Sequence, residues 1–198
     1  MSYITAEQLR DYLGISDNVD ATAALIDAVA DASAWVDEHC YRSFAIPANG
    51  ATPTQRTFRA ISTTSCWVDD FATTSGLAVT TSADRLTWRT LDVANIAAAP
   101  PNALVASPPR AYTAVETLGV ERFDEWVRVS ALWGWASVPE PVERATKLVA
   151  HWFLKRRDSP YGIEGFDGFA VRVSGKGDPD VLRLLSDLRR YDRVVGVA

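Results

Sequence analysis

Apolar positions along the 198 residues recur in two rhythms, and the change from one to the other divides the chain. Up to about Cys40 the spacing is helical. Thr5-Ala6-Glu7-Gln8 matches a capping box, in which the Thr hydroxyl and the Gln side chain satisfy the first free N–H groups, and Leu9, Tyr12 and Leu13 follow as an apolar stripe. Gly14 supplies a left-handed stop. After a polar link, Asp20 stands where it can cap a second, alanine-rich helix reaching about Cys40. That helix carries Leu25, Val29, Ala32, Val36 and Cys40 at helical spacing. Two helices joined by a short turn predict an antiparallel hairpin.

From about residue 53 the texture changes to Thr, Val, Trp and Phe in short pieces. Candidate strands are 55–60, 66–71, 77–81, 86–91, 111–116 and 125–133, with Thr, Ser, Gly and Asp between them. The last is the clearest, because Trp126, Arg128 and Ser130 alternate with Val127, Val129 and Ala131. Residues 94–110, ANIAAAPPNALVASPPR, hold two Pro-Pro pairs and are not expected to be helix or strand throughout. They read as a loop, either a passive excursion or an arm that orders on a partner.

LWGWASVPEPVERA, from 132 to 145, reads as a strand-to-helix corner. Along an extended backbone Trp133 and Trp135 point to the same side, with Gly134 bare on the other. Pro139 and Pro141 stop the strand and suit a helix entrance, where Glu140 and Glu143 meet the positive end of the dipole. The helix that follows places Val142, Ala145, Val149, Trp152 and Phe153 on one side and stops at Asp158-Ser159-Pro160. Residues 166–173 predict a short strand. Asp178 and Pro179 open a last helix with Val181, Leu182, Leu184, Leu185 and Leu188, and the chain ends in an apolar tail. The expectation is an α+β protein: a mainly helical core with a small antiparallel β lobe inserted in it. Its parts are a helical hairpin at 1–52, the lobe at 53–136 with the Pro-rich loop 94–110, and closing helices and tail at 137–198.

Charge changes this picture more than composition does. The net charge of −5 hides an asymmetry, since residues 1–40 carry one Arg against eight acids, whereas 144–157 carry Arg144, Lys147, Lys155, Arg156 and Arg157 and no acid. Opposite charge on two elements of one chain invites pairing, within a subunit or between copies. The exposed side of the second helix holds Asp27, Asp31, Asp37 and Glu38, which read as a solvated face or as a contact surface. Lys155-Arg156-Arg157 near Trp152 is a candidate phosphate contact. A pI near 5.0 argues against a DNA-coating protein, and last-turn cations also complement the helix dipole.

Catalytic constellations are not expected. His39 and His151 lack recognisable partners in sequence, and His39 beside Cys40 reads as a core or helix-end pair before a metal site. Gly175-Lys176-Gly177 lacks the phosphate-loop spacing and reads as a turn. Asp69-Asp70 reads as turn and cap before an acidic metal site. Two cysteines, Cys40 and Cys66, are too few for a disulfide framework and are expected to be reduced thiols in a cytosolic setting. A secretion signal and a membrane span are not expected either, because no basic start precedes an apolar core and no run of about 18 apolar residues occurs.

Four stretches taken together, YITAEQLRDYLGI, SAWVDEHCYRSF, LWGWASVPEPVERAT and KRRDSPYG, in this order, resemble the head-tail connector proteins of tailed bacteriophages, also called head completion or adaptor proteins. The segment between Pro53 and Gly134 is longer than the compact helical members carry. The resemblance implies a virion protein at the capsid-tail junction, assembled in the host cytoplasm, without catalytic residues, cofactor or metal. It implies a ring of copies, twelvefold, beneath the portal protein, which extends the DNA channel without sequence-specific binding and offers a platform for the tail or a stopper protein. The free chain is expected as a monomer. On this reading Asp27, Asp31, Asp37, Glu38, Arg144, Lys147, Lys155, Arg156 and Arg157 are candidate subunit-interface or channel residues. Pro100, Pro101, Pro108 and Pro109 and the tail residues Val194, Val195 and Val197 are candidate partner-docking residues. A tail-completion protein or other small virion assembly protein, or a small intracellular enzyme, are the alternatives.

Overall fold

The first helix, α1 (Ala6–Leu13), is capped at both ends by its own sequence: Thr5 Oγ1 accepts the Gln8 N–H at 3.1 Å, the Gln8 side chain accepts the Thr5 N–H at 2.8 Å, and Gly14 closes it at φ +64°. The computed structural model describes residues 2–15, 19–48, 50–107, 109–158, 163–166, 169–172 and 178–190. Only one narrow face of so short a helix meets α2 (Val19–Cys40), so Leu9 is fully buried while Tyr12, expected in the same stripe, is half exposed. Because α2 already begins at Val19, Asp20 lies inside its first turn instead of capping it from outside. Leu25, Val29, Ala32, Val36 and Cys40 are all buried.

Four antiparallel strands make the first sheet, in the order β1 (Thr54–Arg59), β7 (Trp126–Ala131), β3 (Ala78–Ser82), β4 (Arg89–Thr90). The second has the order β2 (Ser65–Phe71), β6 (Tyr112–Thr117), β5 (Ile96–Ala99). The inner faces of both sheets fill one core, in which Val68, Phe71, Val79, Val115, Val127 and Val129 are almost completely covered. Each such side chain removed from water contributes about 1.5–3 kcal/mol. The remaining elements are α3 (Glu140–Asp158), a hairpin β8 (Ile163–Phe166) and β9 (Phe169–Arg172), and α4 (Pro179–Leu185).

The chain forms two compact units, one of residues 1–43 and 138–198, the other of residues 44–137. In the helical unit α2 packs on α3 and α3 on α4, burying Val142, Ala145, Val149, Val181 and Leu185. Arg190 N–H donates to the Cys40 carbonyl at 2.9 Å, and Arg42 donates to the Leu188 carbonyl at 3.1 Å. Asp178 caps α4 by accepting the Asp180 N–H at 2.8 Å, with Pro179 in the first turn. The fold class is α+β, and the sheets have a unit and a core of their own, so "mainly helical" gives them too little weight.

Several local expectations change. Residues 94–110 are not all loop, since Ile96–Ala99 pairs with β6 and short 3-10 turns flank it. Small apolar alanines suit a strand covered on one face, and Pro100 then ends it. The strand expected at 86–91 shrinks to two residues because a loop centred on Asp84 holds the chain before it. The single strand expected at 166–173 is a hairpin whose first strand contains Glu164 and Gly165, weak strand formers that hid it.

The corner at 132–135 also differs. Gly134 has φ +127°, which breaks strand alternation, so the two tryptophans do not share one side by a simple pleat and their rings go to different partners. Trp133 packs with Phe58 and Phe71, while Trp135 packs on Phe44 and donates to Asp70 Oδ2 at 2.9 Å. A Cβ at Gly134 would collide with the Ala45 carbonyl oxygen. Gly134→Ala therefore adds a clash to a backbone cost of order 1–3 kcal/mol for a side chain in that region, and urea unfolding is expected to show a loss of about 2 kcal/mol or more. A midpoint equal to the unmodified chain's would show that the corner relaxes freely.

Candidate assembly surfaces

α2 carries all four acidic candidates, and its other face is used by the helical core. Asp27, Asp31 and Glu38 are exposed, separated by the exposed small residues Ala30 and Ala34, and Ile26 beside them is 54% exposed. Asp37 is different. It is half-buried and accepts the Tyr3 hydroxyl, while Tyr3 N–H donates to Ser33 Oγ at 3.2 Å, so the N-terminal segment is pinned along α2. Burial raises the Asp37 pKa against the opposing pull of that hydrogen bond. Asp37 thus serves the fold of its own chain, and the outward acidic face is Asp27, Asp31 and Glu38.

The basic candidates lie on α3. Arg144, Lys155 and Arg156 are exposed, Lys147 is half-buried, and the Arg157 side chain lies outside the described residues. The Arg156 guanidinium sits 5.4 Å from the Trp152 ring. Of the docking candidates, Pro100, Pro101 and Pro109 are exposed, whereas Pro108, Val194, Val195 and Val197 lie outside the described residues.

The chemical candidates disperse. Asp69 and Asp70 are not a turn: both lie in β2, where Asp69 pairs with Arg56 and Asp70 receives the Trp135 indole N–H. His39 stacks on Trp35 at 5.0 Å, one helical turn away, and its pKa is lowered first by burial and then by Arg189. His151 is half-buried on α3, and Lys176 lies outside the described residues. Among the described residues no group of three or more His, Cys, Asp or Glu is placed to hold a metal ion. A groove of about 320 Å³ between the N-terminal segment and α2 is lined by Tyr3, Ile4, Ile26 and Val29 among others, with no carboxylate, imidazole, thiol or cation in its wall. No helix among the described residues is long and apolar enough to cross a membrane.

A surface not singled out from the sequence lies on the outer face of the first sheet. The register sets Arg59 opposite Trp126, and sets Arg128 between Thr57 and Thr80. The loop before β4 adds Arg85 and Trp88. Asp84 builds that loop by accepting the N–H groups of Leu86 at 2.8 Å and Thr87 at 2.9 Å, bonds that hold its carboxyl below the usual range. Trp88 Nε1 donates to the Arg85 carbonyl at 3.1 Å, and Arg85 takes a left-handed φ of +62°. The outcome is a stacked Arg–Trp array: Arg85 lies 3.3 Å from the Trp126 ring and Arg128 3.8 Å from the Trp88 ring. Arg59 reaches 5.9 Å from Trp126 and also pairs with exposed Glu125 at 2.9 Å, a bridge contributing about 0–1 kcal/mol. Cation–π contacts at exposed sites contribute about 0.5–1 kcal/mol each. The alternation Trp126-x-Arg128 was the visible half of this signal; Arg85 and Trp88 come from a loop whose course the sequence pattern does not give.

No protein-family model and no curated protein matches the sequence. Solved structures do match. The chain is similar to one in the neck of an empty GTA (gene transfer agent) particle with C6 symmetry, at TM-score 0.54 and 16% identity, covering 98% of this chain and 93% of that one. It is also similar to one in the neck of a native GTA particle with C12 symmetry, at TM-score 0.50 and 16% identity, covering 98% and 92%. At that identity the likeness is one of fold. Its structural neighbours are thus neck chains of phage-like particles, consistent with the head-tail connector resemblance.

Cys40 and Cys66 are both free and fully covered, and burial pushes each thiol up to about 12. Neither is expected to react with a thiol reagent at pH 8 in the native protein, and both should react in denaturant. The stabilising contribution is complete below the ordinary value of 9.0, because both states then keep their protons. Above it the unfolded chain ionises first, so stability should fall as pH rises from about 9 toward 12. Rapid native labelling of Cys40 would mean that the α2 terminus opens.

Proposed function

We propose that the chain is a structural component of the neck of a tailed-phage-like particle, a head-tail connector that forms a ring beneath the portal protein, extends the DNA channel and offers a platform for the tail or a stopper protein. The observation that carries this reading is the fold likeness to neck chains over nearly the whole length of both partners. The connector-like order of the four sequence stretches supports it independently of the coordinates.

A ring sets a physical demand. Each copy must present two different complementary surfaces, since a head-to-tail contact closes only by rotation. The outward acids of α2 are proposed as part of one such surface. Arg144, Lys147, Lys155 and Arg156 are proposed as cationic contacts of the ring or its channel, and Pro100, Pro101, Pro109 and the apolar tail with Val194, Val195 and Val197 as contacts to portal or tail. Charge pairs at a wet rim contribute only about 0–1 kcal/mol each, so they set register while apolar contact supplies affinity.

Electron microscopy of the purified chain mixed with its portal protein is expected to show rings seated on the portal. Asp27→Lys together with Asp31→Lys should cut ring occupancy sharply at moderate salt. A chain that stays a lone particle and never joins a capsid vertex would remove the connector reading. Rings unchanged by the double reversal would remove only the part given to the acidic face.

A further inference from the structure

The outer face of the first sheet combines three features that no part of the fold requires. Its cations are outward, since Arg85 is exposed and Arg128 half-buried on a sheet whose other face fills the core. They lie over the rings of Trp126 and Trp88, at 3.3 and 3.8 Å from the ring centroids, and a guanidinium held over a ring still has N–H donors for a carboxylate. They also stand on a rigid platform: the Asp84 loop is held by side-chain and indole hydrogen bonds and β7 by neighbours on both sides. A sheet face of this kind fits a partner with carboxylates at intervals of one or two helical turns and small apolar groups between them.

This chain carries that partner chemistry itself. The outward face of α2 repeats carboxylates at Asp27, Asp31 and Glu38, with Ala30 and Ala34 between them and Ile26 exposed at 54%. Steps of four and seven residues on a helix are about 6 and 10 Å. On the sheet, two residues along β7 separate Trp126 from Arg128 by about 7 Å. Alanines let the helix approach the flat sheet, Ile26 has indole area to cover, and the acids meet guanidinium edges. We propose that this Arg–Trp face is the seat for the acidic face of α2 from a second copy of the chain, the head-to-tail contact of the ring. The inference rests on the ring reading and deepens it by naming both halves of one interface. Double-stranded DNA is the competing occupant, because the same guanidinium edges would accept phosphates; the chain's own charge of −5 and the apolar anchor Ile26 favour the protein partner.

Cysteine trapping tests it. One chain carries Ala30→Cys on α2 and another Thr57→Cys beside Arg128; the native thiols, covered and held protonated, stay silent. Mixed under mild oxidation, the two are expected to form linked pairs far faster than either alone. Adding Arg85→Glu and Arg128→Glu to the second chain should slow linking by about tenfold or more, since like charges then face each other. Adding Asp27→Arg and Asp31→Arg to the first should restore it, and restoration also shows that the altered chains fold. No linked pair at up to about millimolar chain, or linking indifferent to the reversals, overturns the proposal. Duplex DNA retained by the unmodified chain and released by Arg85→Glu with Arg128→Glu, with no linking, would give the face to DNA. Rings on the portal without linked pairs would leave the connector reading standing and remove this interface alone.

Discussion

A single backbone closure makes the architecture possible. The Trp135 N–H donates to the Ala45 carbonyl at 2.8 Å, and the Gly134 N–H donates to the Asp70 carbonyl at 2.7 Å. The first places the start and the end of the β unit side by side, and the second ties its end to β2. A segment whose two ends meet behaves, for the helices, as one long loop, and its closure cost grows only slowly with length. That is why residues 1–43 and 138–198 can share a core in which α2 packs on α3 although ninety-odd residues separate them in sequence. The closure has no room for a side chain between Ala45 and the corner, so glycine at 134 is a geometric necessity. Trp135 seals it from one side, with its indole bonded to Asp70 and its ring against Phe44.

How much of this was legible depends on the range of the interaction. Local signals carried well: the capping box at Thr5, the αL stop at Gly14 and the Asp178-Pro179 start of α4 are each specified within a few residues. The buried stripe of α2 was legible for the same reason, since five apolar positions on one face have one physical use. Features decided by tertiary partners were not. Tyr12 and Leu9 look alike in the pattern, yet Leu9 is fully buried and Tyr12 half exposed. Asp37 reads like Asp31 in sequence, and what separates them is Tyr3, thirty-four residues away, laid against α2. The Ala-rich strand β5 was masked by its prolines, because pairing with β6 supplies what its own propensity lacks.

The candidate surfaces follow the same rule. Charge asymmetry was readable from composition along the chain, and of the four acids read as the exposed side of α2, Asp27, Asp31 and Glu38 are exposed and Asp37 is half-buried. It did not show the cations gathered on the first sheet. The run on α3 is dense in sequence and lies along one helix, with Arg144, Lys155 and Arg156 exposed and Lys147 half-buried. The sheet cations are sparse in sequence, at 59, 85 and 128, and converge only because β1, β7 and the Asp84 loop bring them to one face. Convergence of distant residues is invisible to any count of local charge.

Organisation of a cation matters more to recognition than its number. A free surface Arg must lose about 1–2 kcal/mol of rotamer entropy to hold one geometry, which cancels much of what an exposed ion pair supplies. Stacking on a tryptophan removes that loss before a partner arrives, and the planar fork keeps its in-plane donors for carboxylates. The Asp84 loop extends the same economy to the backbone: its carboxylate fixes Leu86 and Thr87, which fixes the turn that sets Arg85 over Trp126. A lysine at 85 would keep the charge and lose the fork. A face prepared in this way suits a partner presented in one fixed geometry, as in the contact proposed between copies.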